Sequence, residues 1–103
     1  MIIILTTVSD HEDGIGLADK IVGAKLAACV QILPQMTSIY VWEGELQKES
    51  EHLLLIKTPK EKYDELEKFI IANHSYDVPE IAAVETSNVS EPYRRWLEST
   101  LSE

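Results

Sequence analysis

The chain has 103 residues, 45% of them hydrophobic, which predicts one domain with a single buried core. Its formal net charge of −9 opposes binding to phosphate backbones, so nucleic acid is excluded as a partner. No apolar run reaches the roughly 18 residues that a spanning helix needs, so we expect no membrane association. Cys29 is the only cysteine, so no internal disulfide can form and a cytoplasmic location is expected.

The first part of the chain predicts a strand followed by a helix. Residues 2–8 are a β-branched run with the length of a buried strand. Ser9 followed by Glu12 matches a capping box, and apolar residues then recur at helical spacing. We therefore expect a helix over about residues 10–26 that begins at a Ser9 cap and buries a stripe formed by Ile15, Ala18, Ile21, Val22 and Leu26.

The middle of the chain predicts a long hairpin. A short strand at "AACV" is interrupted by Pro34, and "MTSIYVWEGEL" then alternates its side chains between two faces. The segment "GELQKES" has the composition of a polar turn, and "EHLLLIKT", residues 51–58, reads as the returning strand.

A second helix, a strand and a third helix follow. Thr58 has the character of a helix cap, with Pro59 at the first helical position and Glu61 completing a capping box. The buried stripe of this helix is predicted to be Tyr63, Leu66, Phe69 and Ile70. The segment "VPEIAAVETS" predicts a strand entered through a proline, and "EPYRRWLESTL" predicts a short helix.

This order, β-α-β-β-α-β plus a helix, predicts the α+β class and a ferredoxin-like sandwich with both main helices on one face of an antiparallel sheet. A chain of this length has little left to cover the other face. Self-association is the simplest cover, so we expect an oligomer.

The chain resembles the CutA family of divalent-cation tolerance proteins over nearly its whole length. The resemblance lies in parts that occur in the family's order: Leu26-Ala27-Ala28-Cys29, Ser38 with Tyr40, Trp42 and Gly44, Lys57-Thr58, His74 with Tyr76, Pro79-Glu80, and Tyr93 near Trp96. It implies a homotrimer of ferredoxin-like protomers, related in shape to PII-like signalling trimers, with clefts between subunits. It also implies a role in tolerance to copper and other divalent metals, with no established reaction.

Two other functions remain open. A small hydrolase of the acyl-phosphate-hydrolysing kind would use the same scaffold, but it needs an arginine in an anion-binding loop, and Arg94 and Arg95 both lie in the last predicted helix. No hydrolase or nucleotide-binding motif is present, so we expect a protein that is not an enzyme. A purely structural trimer that anchors other proteins is the second alternative.

The resemblance also points to a metal site. In the family, metal binding is associated with a cysteine after the first strand and a histidine pair at the end of the second main helix. The matching positions here are Thr6, Asn73 and His74. Only His74 keeps a good copper or zinc ligand, so we expect at most weak binding of a divalent metal, helped by Tyr76, Glu80 or a neighbouring subunit. The alternative is that His74 ends the helix and hydrogen-bonds its last carbonyls.

A final set of residues combines aromatic and charged side chains, in keeping with either of two roles. Large aromatic side chains concentrate at subunit contacts, which favours packing at an interface. Alternatively, the same residues line an intersubunit cleft that binds a small ligand, with Lys57 and Glu80 as its charged contacts. The candidates are Tyr40, Trp42, Lys57, Tyr76, Glu80 and Trp96.

Overall fold

The computed structural model describes residues 1–102. Its elements are β1 (Ile2–Val8), α1 (His11–Gly23), β2 (Cys29–Ile32), β3 (Met36–Trp42), β4 (Glu45–Thr58), a 3₁₀ turn (Lys60–Lys62), α2 (Tyr63–Asn73), β5 (Ala82–Glu85) and α3 (Glu91–Leu101). The predicted α+β order is confirmed, and the second strand of the pattern is divided into β2 and β3 around Pro34. No helix among these residues is long and apolar enough to cross a membrane.

The strands form one antiparallel sheet in the order β2-β4-β1-β5, and β3 pairs with the first half of β4. Strand β1 lies at the centre, with Ile2 opposite both Thr58 and Glu85. This is the ferredoxin-like arrangement that the order of elements predicts.

The core lies between the sheet and the helices α1 and α2. Alternate residues of the central strands point to this side, because successive side chains of a strand face opposite ways. Gly14 lets α1 approach the sheet closely, since a Cβ there would lie 3.2 Å from the Val8 side chain. The buried core includes Ile2, Ile4, Val8, Leu17, Ile21, Leu54, Ile56, Leu66 and Ile70.

Helix α1 differs from its prediction at both ends. Its cap is Asp10, whose Oδ1 accepts a hydrogen bond of 2.8 Å from the Asp13 backbone N–H, so the Ser9 cap was wrong. The helix ends at Gly23, and Lys25 then takes a positive φ of 58° that helical backbone cannot continue through. The predicted stripe also needs correction, because Val22 is largely exposed while Leu17 is buried.

Helix α2 also begins later than predicted. Thr58 is the last residue of β4, fully buried, and its hydroxyl donates a 2.7 Å hydrogen bond to the Leu26 carbonyl. The predicted Thr58 cap was therefore wrong, because this hydroxyl is already used across the core. Pro59 precedes a 3₁₀ turn, and the α-helix itself starts at Tyr63. Leu66 and Ile70 are buried as predicted, with Tyr63 and Phe69 packed partly against the core.

The polar stretch after the turn is a strand, contrary to prediction. β4 begins at Glu45, and the loop consists of Glu43 and Gly44 alone, with φ values of 50° and 82°. Two positive φ values in a two-residue loop are typical of the type I′ turn that joins twisted strands tightly. The hairpin therefore extends away from the helices, and we call residues 36–51 the hairpin arm. By contrast β5 is shorter than predicted, Ala82–Glu85.

Candidate functional site

The hairpin arm has two chemically different faces. Residues opposite each other in an antiparallel pair share a face, and alternate residues change face. The pairs Tyr40–Gln47 and Ser38–Glu49 therefore set the first face, which we call the acidic–aromatic face: Tyr40, Trp42, Glu45, Glu49 and Glu51. The other is the aliphatic face, formed by Ile39, Val41 and Leu46, each more than 60% exposed.

A buried carboxylate lies at the base of the acidic–aromatic face. Glu51 is only 7% exposed, and its Oε2 accepts a 2.8 Å hydrogen bond from the Tyr76 hydroxyl. Burial, followed by the hydrogen bond to Glu51 and the charges of Glu51 and Glu49, raises the pKa of Tyr76 well above its usual range. Burial and the same two carboxylates also raise the pKa of Tyr40. Both phenols therefore lie beside the same two carboxylates.

His74 connects the α2–β5 loop to β1. Its Nε2 lies 2.7 Å from the Thr7 carbonyl oxygen, and its Nδ1 lies 3.0 Å from the Tyr76 backbone nitrogen. A carbonyl only accepts and a backbone N–H only donates, so this geometry assigns the neutral ring with its hydrogen on Nε2. The ring centroids of His74 and Tyr76 are 4.7 Å apart. His74 thus holds Tyr76 in position for its contact with Glu51.

The residues around His74 do not fit a tight copper or zinc site. Both ring nitrogens already have partners, and a metal would have to displace one of them. The Thr6 side chain is fully buried in the core, and the Asn73 amide donates to the Phe69 carbonyl at 2.8 Å. Among residues 1–102 no group of three or more His, Cys, Asp or Glu side chains is placed to hold a metal. A metal role for His74 stays a prediction of weak binding.

The alternative for His74 is right in part. His74 does end α2, and its backbone N–H donates to the Ile70 carbonyl at 2.8 Å. Its ring, however, bonds to β1, and it is Asn73 whose side chain reaches a carbonyl of the last turn. The prediction that the ring binds the last helix carbonyls was wrong, because the ring donates to the Thr7 carbonyl of β1 instead.

A second group of candidate residues lies at the other end of β4. The Lys57 ammonium lies 5.8 Å from the centre of the Tyr93 ring, and the Tyr93 and Trp96 rings are 5.5 Å apart. Burial and the Cys29 thiol raise the pKa of Tyr93. Lys57 and Cys29 are partners in the sheet and point away from the core, so α3 covers the face opposite α1 and α2.

The six predicted cleft residues therefore fall into separate groups within one protomer. Tyr40 and Tyr76 meet around the two glutamates, whereas Lys57 and Trp96 meet around Tyr93. Lys57 lies six residue steps along the extended strand from Glu51, which is roughly 20 Å. Within the described part of the chain, no hydrogen bond or ion pair joins Trp42 or Glu80 to either group. Their meeting in one cleft requires a neighbouring subunit and stays a prediction.

Sequence reasoning missed Glu49 and Glu51. Glu49 was assigned to a polar turn, which has no faces, and Glu51 was placed at the start of the returning strand without a role. The signal that could have found them is their spacing. Acidic or amide side chains occupy every second position at Glu45, Gln47, Glu49 and Glu51, as residues on one face of a strand do, and this spacing runs into the strand that follows.

A family model for the CutA1 divalent ion tolerance protein matches residues 2–100. This chain belongs to that family. The assignment agrees with the earlier resemblance, and the family's name refers to tolerance of divalent cations and to no reaction.

Relatives and solved structures give the same family. CutA of Thermus thermophilus is 40% identical over 92% of this chain and 92% of its own length. The chloroplastic CutA of Arabidopsis thaliana is 44% identical over 96% of this chain, and the chain spans 54% of its length. For the chloroplastic CutA 1 of rice this share is 58%, so the chain spans a little over half of the plant relatives.

Crystal structures of CutA1 superpose closely on this fold. The rice CutA1 structure matches with a TM-score of 0.93 at 42% identity, covering 96% of this chain and 91% of its own. That of Pyrococcus horikoshii also matches with a TM-score of 0.93, at 30% identity and 97% coverage of both chains. The CutA1 fold therefore extends over almost the whole chain.

Proposed function

We propose that this chain functions as a homotrimeric divalent-cation tolerance protein, a cytoplasmic binding and signalling module without catalysis. The observation that carries the proposal is the aliphatic face of the hairpin arm. Ile39, Val41 and Leu46 are 63%, 66% and 65% exposed in the protomer. An isolated two-stranded hairpin is marginally stable in water, and clustered apolar side chains on it mark a surface for association.

A trimer also explains the position of the ligand candidates. Tyr40 and Trp42 project from the arm, and an arm that packs on a neighbouring copy places them beside that copy's surface. The proposed role is then to bind a small ligand where subunits meet, with Tyr40, Trp42 and Tyr76 among the contacts. A cleft between identical subunits repeats three times in such an assembly.

The test compares one substitution at two exposed isoleucines. Ile39→Asp puts a charge on the aliphatic face, whereas Ile71→Asp puts the same charge on α2, where Ile71 is 55% exposed. Light scattering should give three times the monomer mass for the wild type and for Ile71→Asp, and a smaller mass for Ile39→Asp. A wild-type monomer at micromolar concentration would remove the trimer from the proposal.

Weak metal binding by His74 is the second part of the proposal, supported by the family's name. Any metal at this ring competes with the Thr7 carbonyl and the Tyr76 N–H, so the affinity is low. Calorimetric titration with Cu(II) and Zn(II) should give a weak signal that His74→Ala removes. His11→Ala is the matched control, since His11 lies exposed in the first turn of α1. Equal binding by wild type and His74→Ala would exclude His74 as a ligand.

A further inference from the structure

The loop between α2 and β5, residues 74–81, is held to the rest of the chain by side chains. Within residues 1–102 no backbone–backbone hydrogen bond involves residues 75–81. Most side chains of the loop are exposed, whereas His74 and Tyr76 are partly buried, and Ile81 packs against the core where the loop ends. A segment without backbone hydrogen bonds opens at low cost, so the course of this loop depends on its few side-chain anchors.

The two polar anchors of the loop act in series. The His74 ring donates from Nε2 to the Thr7 carbonyl of β1, and its Nδ1 accepts from the Tyr76 backbone N–H. The Tyr76 hydroxyl then donates to Oε2 of the buried Glu51, the last residue of the hairpin arm. The contacts therefore run from the centre of the sheet, through the loop, to the base of the arm. Each contact positions the group that makes the next one.

The loop reaches the arm at the point where the sheet becomes narrow. Among residues 1–102, β1 pairs with β4 only from His52 onward, with Val8 opposite His52. Before that residue β4 pairs with β3 alone, so the arm is a two-stranded ribbon. Two-stranded ribbons twist more than wide sheets and are marginally stable alone. The Tyr76 contact with Glu51 therefore braces β4 where the support of β1 stops.

We infer that residues 74–81 are a strap that sets the direction of the hairpin arm relative to the sandwich, with His74 as the positioning residue and Tyr76 as the contact. Glu51 belongs to the acidic–aromatic face, so the strap leaves the aliphatic face free. An arm without this brace samples more directions, and ordering it against a neighbouring copy costs more conformational entropy. The strap thereby controls how readily the arm assembles, a consequence that rests on the proposed function.

Residual dipolar couplings of the backbone N–H groups in a weakly aligned sample test the strap, because they report the direction of the arm relative to the sandwich. In the wild type, both parts should fit one common alignment. In Tyr76→Phe the couplings of residues 36–51 should shrink and depart from the alignment of the sandwich. Tyr63→Phe is the matched control, since the Tyr63 hydroxyl donates to Glu67 at 2.7 Å within α2 and should leave the arm unchanged. A contact that only stabilises the fold would not move this readout.

A second variant tests the series of contacts. His74→Phe keeps a ring but loses both ring hydrogen bonds, so it should free the arm as Tyr76→Phe does. The double variant should change the couplings no more than the stronger single variant, because both substitutions break the same series. The inference is overturned if the arm keeps the alignment of the sandwich in Tyr76→Phe, or if the two single effects add in the double variant. If His74→Phe does not fold, Tyr76→Phe alone decides.

Sedimentation of the same samples tests the control of assembly. The dissociation constant for self-association should rise about tenfold in Tyr76→Phe, because a hydrogen bond to a charged group is lost, and should stay unchanged in Tyr63→Phe. Unchanged association by a freed arm would overturn this control. A monomeric wild type would remove the trimer of the proposed function, and the dipolar couplings of that monomer would still decide whether the strap sets the direction of the arm.

Discussion

Strand β4 passes through two different environments, and the contrast shows what one protomer can and cannot stabilise. Its second half lies in the sandwich, where Leu54 and Ile56 are completely buried under α1 and α2. Its first half lies in the hairpin arm, where Leu46 is 65% exposed. The alternation of side chains is the same in both halves. What differs is the cover, and among residues 1–102 nothing covers the aliphatic face.

The largest expected effect is the difference in stability between two leucine substitutions, one in each half of β4. Leu54→Ala removes a fully buried side chain and should lower the free energy of unfolding by about 2–5 kcal/mol, through lost burial and the cavity left behind. Leu46→Ala should change the stability of the protomer by less than about 0.5 kcal/mol. Urea denaturation at several protein concentrations measures both.

The concentration series separates protomer stability from assembly. If another copy covers the aliphatic face, Leu46→Ala should lower the stability of the assembly, and this loss of stability should depend on protein concentration. Equal, concentration-independent losses for the two variants would contradict the contrast between the sandwich and the arm.

A smaller effect is expected where the arm meets the sandwich. Tyr76→Phe leaves the buried Glu51 without its hydrogen bond and should cost about 1–3 kcal/mol in the free energy of unfolding. Tyr63→Phe is the matched control, since the Tyr63 hydroxyl donates to Glu67 at a similar 2.7 Å. Glu67 is less buried, so water replaces the lost bond and the cost should be about 1 kcal/mol or less. Equal costs for the two variants would mean that water also replaces the bond at Glu51, and would contradict this prediction.

Alkaline pH should weaken the same junction. The pKa of Tyr76 is higher in the folded protein than in the unfolded chain, so the folded protein holds this proton more tightly. The stabilisation is complete below the unfolded pKa of about 10 and is lost as the pH rises through the folded pKa. Thermal unfolding between pH 9 and 11 should show falling stability, with a shallower fall in Tyr76→Phe. Parallel curves for the two proteins would contradict this origin.

The smallest effects concern two buried threonines in the sandwich. Among residues 1–102 the Thr6 hydroxyl is buried without a hydrogen-bond partner, so Thr6→Val should stabilise the fold by about 1 kcal/mol. Thr58→Val should destabilise it by about the same amount, because the Leu26 carbonyl loses its donor. Thermal denaturation of the wild type and of the two variants measures both changes in stability. A loss of stability in Thr6→Val would mean that the Thr6 hydroxyl has a partner.

The sandwich could be predicted from the sequence, whereas the site could be predicted only in part. Strand β1 and the burial of Leu66 and Ile70 could be predicted from the spacing of apolar residues, because that spacing decides which side chains share a buried face. The two caps failed for different reasons. The neighbouring Asp10, and not Ser9, caps α1, whereas the Thr58 hydroxyl bonds to the Leu26 carbonyl across the core.

The site was harder because its key contact is distant in sequence. Tyr76 was identified as a candidate, but Glu51 lies 25 residues away and its burial depends on the α2–β5 loop folding over it. The hydrogen bond from His74 Nε2 to the Thr7 carbonyl likewise joins the loop to β1, across 67 residues. Composition indicates which residues have useful chemistry, and only the topology decides which of them meet.

Sedimentation equilibrium of the wild-type protein is the most direct test of the central claim, that the hairpin arm is completed by other copies of the chain. We predict a single species of three times the 11.6 kDa monomer mass, maintained down to micromolar concentration. A monomer across that range, with the arm exposed to solvent, would contradict the account.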